Sequence, residues 1–279
     1  MPGKKRGGRT PRRKQATKRP YKKVLITSEG EKSEPNYLHG LIKHHRITPA
    51  SISIYGAGGS SPASVVKDGI DKYEGAKAQG DPYDKVFFVF DKDSHHQYEN
   101  ALDKIARQRP KGTFVAINSV PCFEYWLLLH FEYTTRPYQP QGRKSAADSL
   151  IKDLCDKLPN YEKAQRDLYA RLKPNLNTAI DHAKRSLNAA QTAGTDNPST
   201  RVHLLVEYLQ SLSRWQKRDI LNECERDFHL TPVSHRHSSG PTVTPAKAGV
   251  HHPALRATDS QPCILFNLTP SKARARSSS

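Results

Sequence analysis

The amino-acid sequence predicts an α/β fold in which helices flank a mostly parallel, four-stranded sheet. Between residues 21 and 135, short apolar or β-branched runs alternate four times with stretches of helical periodicity. This order is typical of a parallel sheet with helices on its faces. From 145 to 228 the pattern is almost wholly helical, which predicts helices that pack onto the sheet or form a small appended subdomain.

The first predicted unit is a strand, a turn and a helix. Residues 24–27 (VLIT) are apolar or β-branched and run into Ser28-Glu29-Gly30, which is typical of a buried strand that opens into a turn. Pro35 suits a helix start, and apolar residues recur after it at helical spacing. Residues 51–55 (SISIY) alternate like a second strand, and Ser61-Pro62 marks the start of the next helix.

The third predicted strand spans residues 85–90, and its last five residues, VFFVF, are all apolar. Such a run fits a central strand that is covered on both faces, and it ends abruptly at Asp91-Lys92-Asp93. A helix around 96–108, a fourth strand at 113–117 and an apolar helix from about 122 to 131 follow.

The remaining boundaries come from changes in composition. Asn197-Pro198 supplies a capping residue and a proline at the first position of the last helix. Beyond Leu230 the sequence turns to Pro, Ser, Thr, His and Ala without a sustained period. We therefore predict a basic disordered tail (1–20), an α/β domain (21–135), a helical region that completes it (136–228) and a second disordered tail (229–279), which resembles a read-through extension.

The positive charge of the chain lies in its ends. The formal net charge is +18, of which residues 1–23 carry +11 and residues 231–279 carry +5, so the middle is nearly balanced. A segment of this kind cannot bury apolar surface, and its charges are attracted to phosphate backbones. The alternative is a tail that serves solubility. The predicted nucleic-acid-binding residues are Lys4, Lys5, Arg6, Arg12, Arg13 and Lys14.

The sequence gives no indication of several classes of protein. The four cysteines form no CxxC pair, so neither a zinc site nor a disulfide framework is indicated. No apolar run approaches the ~18 residues of a membrane helix and residues 1–23 lack a signal-peptide core, which predicts a cytoplasmic protein without membrane contact. The chain also lacks a GxxxxGK[ST] loop, so any ATPase would be a partner protein.

Carboxylates follow two of the predicted strands. Glu29 comes after the first strand, and Asp91 and Asp93 come after the third. The carboxyl ends of parallel strands lie at one edge of a sheet, where ligands bind, so neighbouring strands would bring the three together. Because such a cluster is self-repelling, it predicts a Mg²⁺ or Mn²⁺ ion bound by oxygen ligands. An ion of this kind can activate water for attack on a phosphodiester.

The motifs resemble those of a known family. Glu29-Gly30 after a first strand and Asp91-x-Asp93 after a third are arranged as in the topoisomerase-primase (Toprim) domain, which also occurs in the overcoming-lysogenization-defect (OLD) nucleases. A closer likeness is to the RloB-like family, over residues 21 to about 212. It is carried by residues 28–37 (SEGEKSEPNY), 90–95 (FDKDSH), 118–131 (NSVPCFEYWLLLHF) and 197–200 (NPST).

The resemblance implies a Toprim-type endonuclease of DNA or RNA in a restriction-linked or phage-defence setting, including abortive infection. It implies that Glu29, Asp91 and Asp93 bind the metal. A partner ATPase or another restriction-locus protein is a candidate partner, and a homo-oligomer stays open. Whether Glu29 acts as a ligand or as a general base also stays open.

Four further side chains are supporting candidates. Lys32 could contact a phosphate, and Glu34 could join the metal site, but both could equally be exposed loop charges, with Glu34 favouring a helix N-terminus. His95 could contact the scissile phosphate or begin the next helix. Glu124 lies in an otherwise apolar helix, where an unpaired carboxylate is costly to bury. It therefore needs a metal or a cation, unless it forms a structural salt bridge or an exposed face.

The main alternative to a nuclease is a nucleic-acid-binding regulatory protein with a non-catalytic metal site, whose affinity comes from the basic tail. Metal-dependent cleavage distinguishes the two. A topoisomerase would need a catalytic tyrosine in a separate large domain, and a primase would need an apparatus for template and nucleotides. Neither is evident in the sequence.

Overall fold

The computed structural model describes residues 21–56, 61–92 and 97–229, with side chains as far as residue 218. Within them the sheet contains β1 (Val24–Ser28), β2 (Ile52–Gly56), β3 (Lys85–Asp91), β4 (Phe114–Val120) and β5 (Ser199–Thr200). The helices are α1 (Ser33–His45), α2 (Pro62–Ala78), α3 (Tyr98–Arg107), α4 (Glu124–Leu128), α5 (Ala146–Lys157), α6 (Leu168–Leu172), α7 (Leu176–Thr192) and α8 (Val202–His229). The basic N-terminal tail and the C-terminal tail lie outside the described residues.

The sheet confirms the predicted α/β class and has the strand order β2-β1-β3-β4-β5. The four predicted strands are all parallel, and β1 and β3 are direct neighbours, with Ser28 opposite Val89. The prediction of four strands was one short, because β5 adds two residues antiparallel to Val120 and Ser119 of β4. A two-residue strand has no alternation that a sequence pattern could reveal.

Each face of the sheet has its own hydrophobic core. Alternate residues of β1 and β3, such as Leu25 and Phe88, face α2 and α3 on one side. The intervening residues, such as Ile26 and Phe87, belong to the larger core on the other side. That core also includes buried residues of α5, α6, α7 and α8, so the helical region packs onto the sheet, as one of the two predicted arrangements has it.

The start of the last helix was predicted incorrectly. Asn197 and Pro198 precede β5, and α8 begins only at Val202. The Asn197 side chain does not cap a helix. Instead it accepts the backbone N–H of Tyr138 (3.1 Å) and donates to the carbonyl of the same residue (2.7 Å). These two bonds hold the chain from 138 against the segment that leads into β5.

The predicted helix 122–131 is shorter than expected, because α4 spans only Glu124–Leu128. The apolar run continues since Leu129 and His130 remain buried after the helix has ended. The apolar composition of this run predicts that its residues are buried. It does not predict where the helix ends, which depends on backbone hydrogen bonds. The helix start at Ser61-Pro62 is confirmed, with the Ser61 hydroxyl accepting the N–H of Ser64.

Helix α2 approaches the sheet most closely at Gly69. A Cβ atom there would lie 2.5 Å from the Phe88 ring and 3.0 Å from the Thr27 hydroxyl. Both residues are fully buried, so neither can move aside cheaply. On the same helix, a Cβ atom at Gly75 would meet nothing within 4 Å.

These two glycines allow a matched test of the packing. Gly69→Ala should lower the free energy of unfolding by about 1–3 kcal/mol through overpacking. Gly75→Ala should raise it by about 0.5–1 kcal/mol, because alanine is the better helix former. Urea denaturation measures both, and an equal gain in the two variants would show that α2 does not lie against Phe88.

Candidate active site

The candidate site lies at the carboxyl edge of the three neighbouring strands β1, β3 and β4. Ser28 ends β1, and the N–H of the next residue, Glu29, donates to the carbonyl of Val89 (2.9 Å). Asp91 is the last residue of β3, opposite Ser119 of β4. Parallel pairing therefore brings Glu29 and Asp91 together, as the sequence predicted for neighbouring strands.

Besides the exposed Glu31, four carboxylates line one cleft of about 450 Å³. They are Glu29 and Glu34 after β1, Asp91 at the end of β3 and Glu124 at the start of α4. The backbone N–H of Asp91 donates to Oε2 of Glu29 (3.2 Å), which ties the turn after β1 to the end of β3. Asp93 and His95 lie outside the described residues.

Burial and mutual repulsion make ionisation of these groups costly. The pKa of Asp91 is raised well above its ordinary value by burial and by the negative charges of Glu34, Glu124 and Glu29. Burial raises the pKa of Glu34 too, and Glu124 and Glu29 add to the increase. In these two carboxyls the equilibrium is therefore shifted toward the protonated form, and a bound cation would oppose this shift.

Glu34 is placed by the first turn of α1. Its side chain is only 6% exposed, so the interpretation of Glu34 as an exposed loop charge is wrong. A Cβ atom at Gly30 would collide with the Glu34 carboxylate. Glycine at this position thus leaves room for the Glu34 carboxylate in the conformation that it has here.

Glu124 is 3% exposed and has partners from a distant part of the chain, so the interpretation of Glu124 as an exposed helix face is also wrong. The Tyr161 hydroxyl donates to its Oε1 (3.0 Å), and Lys163 Nζ lies 3.6 Å from the same atom. Glu124 raises the pKa of Lys163, so the lysine is a stable cation at the cleft. Its side chain remains 67% exposed and so can reach a ligand.

Tyr161 and Lys163 were not predicted, and both belong to the loop between α5 and α6. This loop is fastened to the start of α1, because the Ser33 hydroxyl donates to the carbonyl of Lys163 and the Asn36 amide donates to that of Ala164 (3.0 Å). The contacts join residues at least 128 positions apart. No local pattern could have revealed them. Lys32 lies exposed at the rim of the cleft, just before α1.

The donor set suits a hard divalent cation, because every acidic group in the cleft offers carboxylate oxygen. Within residues 21–56, 61–92 and 97–218, however, no three His, Cys, Asp or Glu side chains already stand in a coordinating arrangement. Asp93, two positions after Asp91 in the sequence, lies outside the described residues. The pKa values of Asp91 and Glu34 are raised, which is the direction expected of carboxyls that a bound cation would stabilise in the ionised form.

Fold and site together define an α/β domain with an acidic cleft at the carboxyl edge of its parallel strands. The chain matches the model of the RloB-like protein over residues 24–209, and it belongs to that family. The matched range contains all four carboxylates as well as Tyr161 and Lys163. No curated protein and no solved structure matches the chain. In the described part, no helix is long and apolar enough to cross a membrane.

The crowding of carboxylates predicts a stability that depends on pH. Because the pKa of Asp91 is raised by folding, its contribution is favourable below the unfolded value of about 4 and is lost as the pH rises through the folded value. Asp91→Asn in EDTA should therefore raise Tm at pH 8 by about 2–4 °C and by less at pH 5.

Asp71→Asn on α2 is the control for this thermal denaturation series. The ion pair with Lys67 lowers the pKa of Asp71, so the same chemical change relieves no repulsion there. A Tm that Asp91→Asn lowers at pH 8, or raises no more at pH 8 than at pH 5, would contradict the electrostatic repulsion inferred for the cleft.

Proposed function

We propose that this protein is a divalent-metal-dependent nuclease that hydrolyses phosphodiester bonds of DNA or RNA. The observation that carries the proposal is the convergence of Glu29, Glu34, Asp91 and Glu124 in one cleft. Structural ion pairs would place cations among such groups. Here Lys163 is the single cation within ion-pair distance of Glu34, Asp91 or Glu124 among the described residues, and the pKa of Asp91 remains raised.

Mg²⁺ or Mn²⁺ bound in this cleft would polarise a phosphate and lower the pKa of a coordinated water. Glu29 and Asp91, from the adjacent strands β1 and β3, are the ligands we propose, and we add Asp93 from the sequence pattern. Glu29 is oriented by the N–H of Asp91. Both a ligand and a general base need such an orientation, so the choice between these roles stays open.

Lys163 is the group best placed to contact the phosphate. An exposed ammonium beside buried carboxylates can pair with a phosphate oxygen and stabilise the charge that develops on it during hydrolysis. Glu124 and Tyr161 would hold the loop between α5 and α6 in position, and would not touch the substrate. Lys32, at the rim and near the N-terminus of α1, is a second cation for the nucleic-acid strand.

The biological setting extends this proposal. The resemblance to the RloB-like family implies bacterial anti-phage defence, through a restriction-linked system or abortive infection. A nuclease that acts on nucleic acid during infection would need a trigger or a partner. A regulatory protein that binds nucleic acid and keeps metal only for structure is the alternative, and it predicts binding without cleavage.

Cleavage of labelled single- and double-stranded DNA and RNA by the full chain tests the proposal. We expect cleavage with Mg²⁺ or Mn²⁺, none with EDTA, and a loss of at least about a hundredfold in Glu29→Ala and in Asp91→Ala. Asp71→Ala, on the surface of α2, should cleave normally. Binding without cleavage in every metal, with variants and wild type alike, would favour the regulatory protein.

Lys163 gives a separate prediction. Lys163→Ala should lower kcat by about ten- to a hundredfold, and Lys163→Arg should recover part of this loss because the positive charge is kept. The matched control is Lys157→Ala, which removes a lysine that pairs with Glu132 at the end of α5. Single-turnover cleavage separates the variants, and equal rates for Lys163→Ala and Lys157→Ala would exclude a role in the reaction.

A further inference from the structure

The exposed side of α1 carries basic and neutral residues but no acid. The helix begins at Ser33, beside the cleft, and ends at His45. Its only acidic residue, Glu34, is buried in the cleft. The side chains that it exposes most are His39, Lys43 and His44. A negatively charged ligand could therefore follow this helix without meeting a carboxylate of α1.

Helix α8 adds two cations at the far end of α1. The Ser213 hydroxyl donates to the carbonyl of His45 (2.7 Å), and the side chain of Gln216 accepts the N–H of Thr48 (3.1 Å). These bonds place Arg214 and Lys217 close to His45. Burial lowers the pKa of His45, and the charges of His44, Lys217 and Arg214 lower it further, as expected for clustered cations.

We call this cluster the distal basic patch. It comprises Lys43, His44, Arg46, Arg214 and Lys217. All five residues are exposed, and none of them makes an ion pair with a described residue. Several cations elsewhere on the described surface are paired, as Lys67 is with Asp71 and Lys184 with Glu207, and the distal basic patch differs in gathering five unpaired basic residues at one place. Unpaired like charges repel one another, so their concentration at one place favours an anionic ligand.

A further cation lies between the cleft and the distal basic patch. The segment that leads into α6 follows α1 in the same direction, from Ala164 beside Asn36 to Tyr169, which packs closely against Gly40. Tyr169 then reaches His44, with ring centroids 5.8 Å apart. Arg166 is exposed on this segment, next to its one acid, Asp167. Lys163, Arg166 and the patch thus succeed one another along α1.

We propose that this surface of α1, from the cleft to the distal basic patch, binds the sugar-phosphate backbone of the nucleic acid. The inference rests on the proposed nuclease function, which places a phosphate of the substrate in the cleft. It adds how far the bound nucleic acid extends from that phosphate. A helix of 13 residues is about 20 Å long. That length corresponds to roughly six base pairs at 3.4 Å each, so the substrate extends at least this far from the bond that is cleaved.

The test compares two charge-reversed pairs in the full chain with Asp91→Asn added, which silences cleavage. The distal pair is Lys43→Glu with Lys217→Glu. The control pair is Lys104→Glu with Lys111→Glu, which makes the same change in net charge at exposed lysines on α3 and in the loop before β4. The basic N-terminal tail is identical in both proteins, so its contribution to binding cancels.

Fluorescence anisotropy with 20-base-pair duplexes of DNA and of RNA, in EDTA, gives the affinities. We expect the distal pair to bind roughly tenfold more weakly than the control pair at ~0.1 M salt. The slope of log Kd against log salt should fall by about 2. A loss with only one of the duplexes would support the proposal and identify the substrate class. Equal affinities of the two pairs for both duplexes would overturn it.

Two further measurements keep this result interpretable. The glutamine versions, Lys43→Gln with Lys217→Gln, should show a smaller loss in the same direction. Every variant should keep a cooperative thermal transition close to that of the parent protein because the lysines are exposed. The binding assay needs no catalysis. If the wild-type protein does not cleave in Mn²⁺, the nuclease proposal fails. The binding comparison still decides whether the surface of α1 binds nucleic acid.

Discussion

Repulsion among carboxylates at one edge of the sheet is the constraint on which the candidate site depends. The parallel pairing of β1 with β3 and of β3 with β4 brings the ends of three strands to one edge of the sheet. Glu29, Asp91 and Glu124 follow from that pairing, and the first turn of α1 adds Glu34. Burial of these groups raises the pKa of Asp91 and of Glu34. Hydrophobic packing on both faces of the sheet fixes the arrangement, so the protein cannot relieve the repulsion by moving the strands apart.

The surroundings of the cleft offset this repulsion only in part. Tyr161 and Lys163 satisfy Glu124, and the N–H of Asp91 satisfies one oxygen of Glu29. The pKa values of Asp91 and Glu34 are raised nonetheless, so a bound cation would interact most favourably with these two carboxylates. Unpaired positive charge is instead found at the far end of α1, in the distal basic patch. A ligand with both a metal-binding phosphate and a long anionic backbone would match the two features at once.

Much of the fold and part of the site could be predicted from the sequence. Buried strands such as VFFVF carry their own signal, and the rule that ligands bind at the carboxyl ends of parallel strands placed Glu29 beside Asp91. The cost of burying a carboxylate indicated that Glu124 needs a partner. That partner could not be identified, because Tyr161 and Lys163 lie in a loop whose position depends on contacts with Ser33 and Asn36 far away in the sequence. β5 was not predicted for a related reason. Its two residues form a strand because they pair with β4, which is distant in the sequence, and they show no alternating pattern of their own.

The proposal that unites these features is that the cleft binds a divalent cation in place of protons. Isothermal titration of the full chain with Mn²⁺ at pH 6, in two buffers with different ionisation enthalpies, tests it directly. A cation would compete with protons at carboxyls whose pKa is raised, so we predict binding with an apparent enthalpy that depends on the buffer, and loss of binding in the variant with Asp91→Asn and Glu34→Gln. Absence of Mn²⁺ binding at millimolar concentrations, or binding with the same enthalpy in both buffers, would contradict it.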